Sequence, residues 1–268
     1  EALITSMREH QKYFHLVDQE GKLQPLFITI ANIVSSDPSV VAKGNEKVIR
    51  PRLADAAFFF NNDKKSALEA RSDRLNGVVF QQKLGTLADK QRRIIELSQY
   101  LARAMGADAE LTARAALLAK CDLVSEMVLE FPELQGIAGA YYAEHDGEPK
   151  VVSEAVEQHY WPRFAGDRLP TTLEATAVAL ADRLDTLVGI FGIGQTPTGS
   201  KDPFALRRAS LAIIRMLIAN DVALDLDELI SHAVNQYPEQ VLEHDPETSV
   251  KDYILERLKA WYDDQGIG

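Results

Sequence analysis

The chain has 268 residues, enough for one large domain or two small ones with a sizeable core. Its 46% hydrophobic and 26% charged residues are an ordinary globular balance, and no apolar run approaches the ~18 residues of a membrane span. A formal net charge of −11 excludes indiscriminate nucleic-acid binding, which needs a surplus of Lys and Arg, but leaves room for a local basic patch on an acidic body.

The first residues, EALITSMREHQKYF, read as helical and lack the basic and apolar blocks of a signal peptide. With the unclosed end WYDDQGIG they give the expectation of a piece of a longer protein. A β-hairpin is predicted between 13 and 33, with Asp18 to Gly21 as turn chemistry and LFITIANI as a β-branched strand. Ser35 to Pro38 make a loop or helix start, and Lys43-Gly44-Asn45 reads as a turn. Residues 48–60 form a helix whose Leu53, Ala56, Ala57 and Phe60 share a face.

From here the helical signal dominates. Asp63 reads as the N-cap of a helix reaching about Leu75. Residues 87–105 place Ile94, Leu97, Leu101 and Met105 at helical spacing, with Gly106 as the stop. A long apolar helix is predicted over 110–129 and a short one over 134–142. Further helices are expected at 151–160, 173–188, 204–220, 226–237 and 250–262. Asp202 and Pro203 have the order of an N-cap and a first helical position. No internal repeat or low-complexity segment is visible. The single cysteine, Cys121, cannot form an internal disulfide and points to a reducing, cytoplasmic compartment.

Two strings, AALLAKCDL and ALADRLDTL, resemble the HD superfamily of metal-dependent phosphohydrolases. There, His and Asp side chains from separate helices converge on a divalent cation that activates water. At the corresponding positions this sequence has Lys90 for the first His and Cys121 for the His of the pair, and keeps Asp122 and Asp182. An ammonium cannot ligate a metal, so no metal is expected. The alternative is that both aspartates are paired with neighbours such as Lys90, Lys120 or Arg183. His145-Asp146 falls in a predicted Gly/Pro loop and reads as an exposed turn. His10 and His15 lie across a predicted structure break, and His159, His232 and His244 are isolated.

Six longer strings carry a more specific resemblance: ALITSMREHQKYF, GNEKVIRPRLADAAFFF, FQQKLGTLADKQRRI, LAKCDLVSEMVLEFPELQG, ALADRLDTLVGIFGIG and PTGSKDPFALRRASLAIIRM. In order and wording they resemble the β subunit of the bacterial heterotetrameric (α2β2) glycyl-tRNA synthetase. That resemblance implies a mainly α fold, an HD-like helical domain with a small α+β N-terminal portion. Residues 1–62 would close a B3/4-like region, 63–220 would be the degenerate HD-like domain, and 221–268 would lead into a truncated anticodon-binding domain. It further implies tRNA(Gly), the α subunit and a second β subunit as partners. It places glycine activation with ATP and Mg on the α subunit, with no cofactor and no catalytic residue on this chain.

Individual RNA contacts are read from charge alone. Lys43, Asn45, Lys47, Arg50 and Arg52 surround the predicted Gly turn, where phosphate contact and pairing with Glu46, Asp55 or Asp63 both stand. Lys201, Arg207 and Arg208 gather near a predicted helix N-terminus. Phosphate contact competes there with inward packing on Asp182 or Asp185. Phe58, Phe59 and Phe60 point in different directions on a helix, so at least two belong to the core. An RNA-positioning module, an HD phosphohydrolase and a structural connector are the readings in competition.

Overall fold

The computed structural model describes residues 2–5, 7–8, 11–222, 224–264 and 266, which leaves His10 outside the described residues. A one-turn helix α1 (Ala2–Thr5) precedes the predicted hairpin, β1 (Phe14–Val17) paired antiparallel with β2 (Leu23–Ile28). Asp18 builds the turn by accepting from the amides of Glu20 and Lys22.

The next element departs from the sequence reading. Residues 43–45 are not a turn: α2 runs unbroken over Pro38–Asp63. Asp37 caps it by accepting from the Ser39 amide at 2.9 Å, and Pro38 fits the first turn. Gly44 costs the helix about 1 kcal/mol against Ala, too little to end it when one face is packed. That face carries Asn45, Ile49 and Leu53 against the hairpin. The Tyr13 hydroxyl donates to Asn45 Oδ1 at 2.6 Å, and Met7, Tyr13 and Ile49 form a small separate core.

Asp63 is a second correction. It ends α2 instead of starting a helix, and a 3-10 helix follows over Glu69–Gly77. Its carboxylate accepts from the amides of Glu126 and Met127 and from the Tyr142 hydroxyl, so it caps a distant helix, α5 (Glu126–Glu130). A small unpredicted hairpin, β3 (Val79–Gln81) with β4 (Gly85–Thr86), leads into α3 (Leu87–Met105). That helix has the predicted bounds. Thr86 and Asp89 form a reciprocal capping box, and Gly106 closes it in the left-handed region.

The predicted helix over 110–129 is three pieces: α4 (Ala109–Leu118), a 3-10 turn (Cys121–Val124) and α5. Tertiary hydrogen bonds break it. Asp122 Oδ2 accepts from the amides of Gly136 and Gly139, and Ser125 caps α5 through the Val128 amide. Helices α6 (Ile137–His145), α7 (Lys150–Gln158) and α8 (Leu173–Gly192) follow. His145 ends α6, and Asp146 is not an idle turn residue: it accepts from the Leu68 amide at 2.6 Å.

Helix α9 (Leu206–Ala219) starts later than predicted, after Ala205 at positive φ. Asp202 still caps it, accepting from the amides of Leu206 and Arg207 at 2.8 and 3.0 Å. Helices α10 (Leu226–Val234) and α11 (Glu247–Asp264) complete the described elements. The main core is organised on α8, in which every side chain from Ala175 to Ala181 is buried. Leu97 and Leu101 of α3, Leu118 of α4, Val156 of α7, Ile213 of α9, Ile230 of α10 and Val250 of α11 join the same cluster. The core therefore continues across residue 220. Gly189 permits this close docking, because a Cβ there would strike the Tyr237 hydroxyl and Leu84. The observed architecture is mainly α with a small α+β N-terminal part, and no described helix is long and apolar enough to cross a membrane.

Candidate functional site

Helices α3 and α8 face each other with matched charge spacing: Lys90 and Arg93 on one, Asp182 and Asp185 on the other. At i, i+3 spacing each pair projects from one side of its helix. Four oxygens surround Lys90 Nζ: Thr186 Oγ1 at 2.8 Å, Asp185 Oδ2 at 2.9 Å, Asp182 Oδ1 at 3.0 Å and the Asp182 carbonyl at 3.1 Å. Arg93 Nε donates to Asp185 Oδ1 at 2.6 Å. Lys120, from the turn after α4, completes the group with Asp182 Oδ2 at 2.8 Å.

The electrostatics follow from this pairing. Burial alone would raise the Asp182 carboxyl, but Lys120, Lys90 and His159 hold it well below the usual carboxylate range. Burial lowers Lys120, and Asp182 only partly offsets it. For Arg93, burial is outweighed by Asp185, so its charge is reinforced. Cys121 is fully buried, which pushes its thiol up to about 12, with Asp122 adding to the effect. It therefore stays a protonated thiol near neutrality, donating to the Leu117 carbonyl. Asp122 is pushed up to about 6 by burial, against the amides of Gly136 and Gly139 and the charge of Lys120.

Such a set does not fit a divalent metal. Two ammonium groups cover the Asp182 carboxylate, Asp122 is turned onto backbone amides, and Cys121 is no thiolate. Among the described residues, no group of three or more His, Cys, Asp or Glu side chains could hold a metal ion. With its donors spent in this way, the set does not support hydrolysis through a bound cation. The expected partners Lys90 and Lys120 do meet Asp182. Arg183 does not: it donates to the carbonyls of His159, Tyr160, Trp161 and Pro162, clamping the segment after α7.

The two basic groups expected to meet RNA fare differently. On α2, Lys43, Lys47 and Arg50 lie within one narrow angular sector, opposite the buried stripe, and are exposed without an ion pair among the described residues. Asn45 and Arg52 leave that group. Asn45 is held by Tyr13, and Arg52 pairs with Glu130 at 2.8 Å, not with the three carboxylates considered from sequence. Near α9, Lys201 is exposed, in a tight turn with Thr198. Arg207 donates to the Gly199 carbonyl, and Arg208 lies 3.4 Å from the Arg163 carbonyl. Neither arginine reaches Asp182 or Asp185. Phe59 and Phe60 pack on the core, Phe60 stacking on Tyr142 at 5.6 Å, while Phe58 is exposed.

Sequence reasoning missed Arg93 and the role of His159, and it named Asp185 only as a partner for Arg207 or Arg208, not for the buried Lys90 and Arg93. The repeated i, i+3 charge spacing on 90/93 and 182/185 was the signal available. Nothing in the sequence announced His159, which is fully buried with Nδ1 2.7 Å from the Val156 carbonyl.

The whole chain, residues 1–268, matches the family model described as glycyl-tRNA synthetase beta subunit. The chain is similar to the glycine–tRNA ligase beta subunit of Chromohalobacter salexigens, 57% identical over 267 residues, covering 100% of this chain and 39% of that protein. It is also similar to the beta subunits of Pseudomonas fluorescens, 56% identical with 100% and 39% covered, and Marinobacter nauticus, 55% identical with 100% and 38% covered. The chain thus spans about two fifths of the length of these relatives. Full coverage at this identity, on a mainly α frame whose interior is closed by paired charges, places the chain in the glycyl-tRNA synthetase beta-subunit family.

Proposed function

We propose that this chain positions tRNA(Gly) for a glycine–tRNA ligase, and that ATP-dependent glycine activation, with Mg, takes place on the α subunit of an α2β2 assembly. In this reading residues 63–220 are an HD-like frame without hydrolase ligands, in the cytoplasm, and residues 221–268 lead toward an anticodon-binding domain. The observation that supports it is the exposed Lys43, Lys47 and Arg50 face on a chain of net charge −11. An isolated basic strip on an acidic body confines a polyanion to one side. Lys201 and Arg208 offer a second contact.

Titration of the chain with tRNA at several salt concentrations tests this. Three phosphate contacts give log K a slope of about −2 to −3 against log salt. Lys43→Glu/Lys47→Glu/Arg50→Glu should abolish most of that slope. Salt-independent binding, or a slope unchanged in the triple variant, would remove the strip from the RNA path.

A connector role is supported beside it by apolar exposure in the N-terminal part. Phe14, Leu26, Ile30, Ile33 and Val34 all lie more than half exposed. Such side chains suit a protein partner, and capture of the separate α subunit by this chain is the measurement for it.

A further inference from the structure

The outward face of α2 carries an aromatic ring in line with its three cations. At about 100° per residue, Ala54 and Phe58 fall with Lys43, Lys47 and Arg50 in one sector about 80° wide. All five are exposed. From Lys43 to Phe58 the sector covers about 22 Å of helix at about 1.5 Å per residue. Glu46 and Asp55 lie about 80° and 100° from its centre, one on each side, so they flank the strip without entering it.

The three consecutive phenylalanines differ in their surroundings. Phe59 and Phe60 pack on the core, whereas Phe58 is 63% exposed. Phe59 meets the Phe58 ring at a steep angle, 5.9 Å between centres. A helical side chain leans over the turn before its own Cα, which sets Phe58 on the side of Ala54 and Arg50. Ala54 ends at Cβ, so nothing long stands between the ring and the cations.

The charge of the sector selects a polyanion, and the ring selects which kind. A duplex offers phosphates but hides its base faces in the stack. An unpaired base offers both a phosphate and a flat face for an aromatic ring. Between Lys43 and Phe58 the sector holds one large apolar side chain among three cations, which is not the apolar patch that a protein partner would cover.

We propose that this face of α2 takes an unpaired stretch of RNA, with one base stacked on Phe58 and the backbone phosphates running back along Arg50, Lys47 and Lys43. The inference rests on the tRNA reading and narrows it to an unpaired part of the molecule. Every base has a π-face, so the stack carries no sequence preference of its own.

Titration of the chain with a short single-stranded RNA, and with the blunt duplex made from it, tests the face. The single strand should bind more tightly. Phe58→Ala should weaken single-strand binding about tenfold, the value of one base stacked on an aromatic ring, and leave duplex binding and the salt slope unchanged. Phe58→Trp should retain single-strand binding. The ring is exposed, so neither change opens the core. Lys47→Glu/Arg50→Glu should instead flatten the salt slope for both RNAs. Weakened binding in that charge variant with none in Phe58→Ala overturns the stack and leaves the tRNA reading standing, and so does equal affinity for strand and duplex. Binding of neither RNA overturns both. Phe58→Ala that spares RNA binding but weakens capture of the α subunit assigns the ring to a protein interface and overturns the proposal.

Discussion

Lys90 on α3 sits among four oxygens in the interior, while Lys47 on α2 points outward with no ion pair among the described residues. The side chains are the same, and their surroundings assign them opposite work. In the interior a cation is fixed by the carboxylates it neutralises. A buried pair is a commitment, since removing either member strands the other away from water. On α2 the cations are hydrated and close to one another, a state that favours a polyanion. The N-terminal part also has a core of its own around Met7, Tyr13 and Ile49, far smaller than the one built on α8.

Substitution in the interior should give the largest effects. Asp185→Ala leaves Lys90 and Arg93 buried with a lost partner, and should cost about 3–5 kcal/mol in denaturant unfolding. A cost under ~1 kcal/mol would mean that water reaches the network, and that the interior is not closed.

Asp122 and Asp182 should respond to pH in opposite directions. Asp122 is raised to about 6 from 3.8, so its contribution favours the fold at low pH and is lost as pH rises through about 6. A rise of roughly two units corresponds to about 3 kcal/mol at most. Asp182 is held well below 3.8, so its contribution is present above 3.8 and is lost as pH falls through the lowered value. Unfolding followed between pH 4 and 6 should show Asp122→Asn flattening the fall in stability with rising pH. An unchanged slope would contradict the burial of a carboxylate there.

Arg52 lies between the two regimes. Its ion pair with Glu130 is more than one third exposed on both sides. Arg52→Ala should cost under ~1 kcal/mol. A larger loss would make the contact of α2 with α5 a structural joint. Smallest of all, Lys43→Glu/Lys47→Glu/Arg50→Glu should leave stability within about 0.5 kcal/mol, since none of the three packs.

What could be read from the sequence divides along the same line. Helix α3 was legible to its ends because Thr86, Asp89 and Gly106 are local signals. The break after Leu118 was not, because Asp122 is drawn away by amides that lie 14 and 17 residues further on. Residues 43–45 looked like a turn because what holds the helix there, the contact of Asn45 with Tyr13 of the hairpin, is tertiary. Asp63 looked like a local cap because nothing nearby shows that its partners are Glu126 and Met127. In the candidate site, Lys90 and Asp182 were legible through the HD-like strings around them. The placing of His159 near Asp182 comes from a chain crossing that no local window contains.

Steady-state aminoacylation by the complete two-subunit ligase, with tRNA varied, tests the assignment of the α2 strip most directly. With Lys43→Glu/Lys47→Glu/Arg50→Glu, KM for tRNA should rise about tenfold while kcat stays nearly constant, the signature of lost phosphate contacts away from the reacting atoms. An unchanged KM in the triple variant would contradict the account.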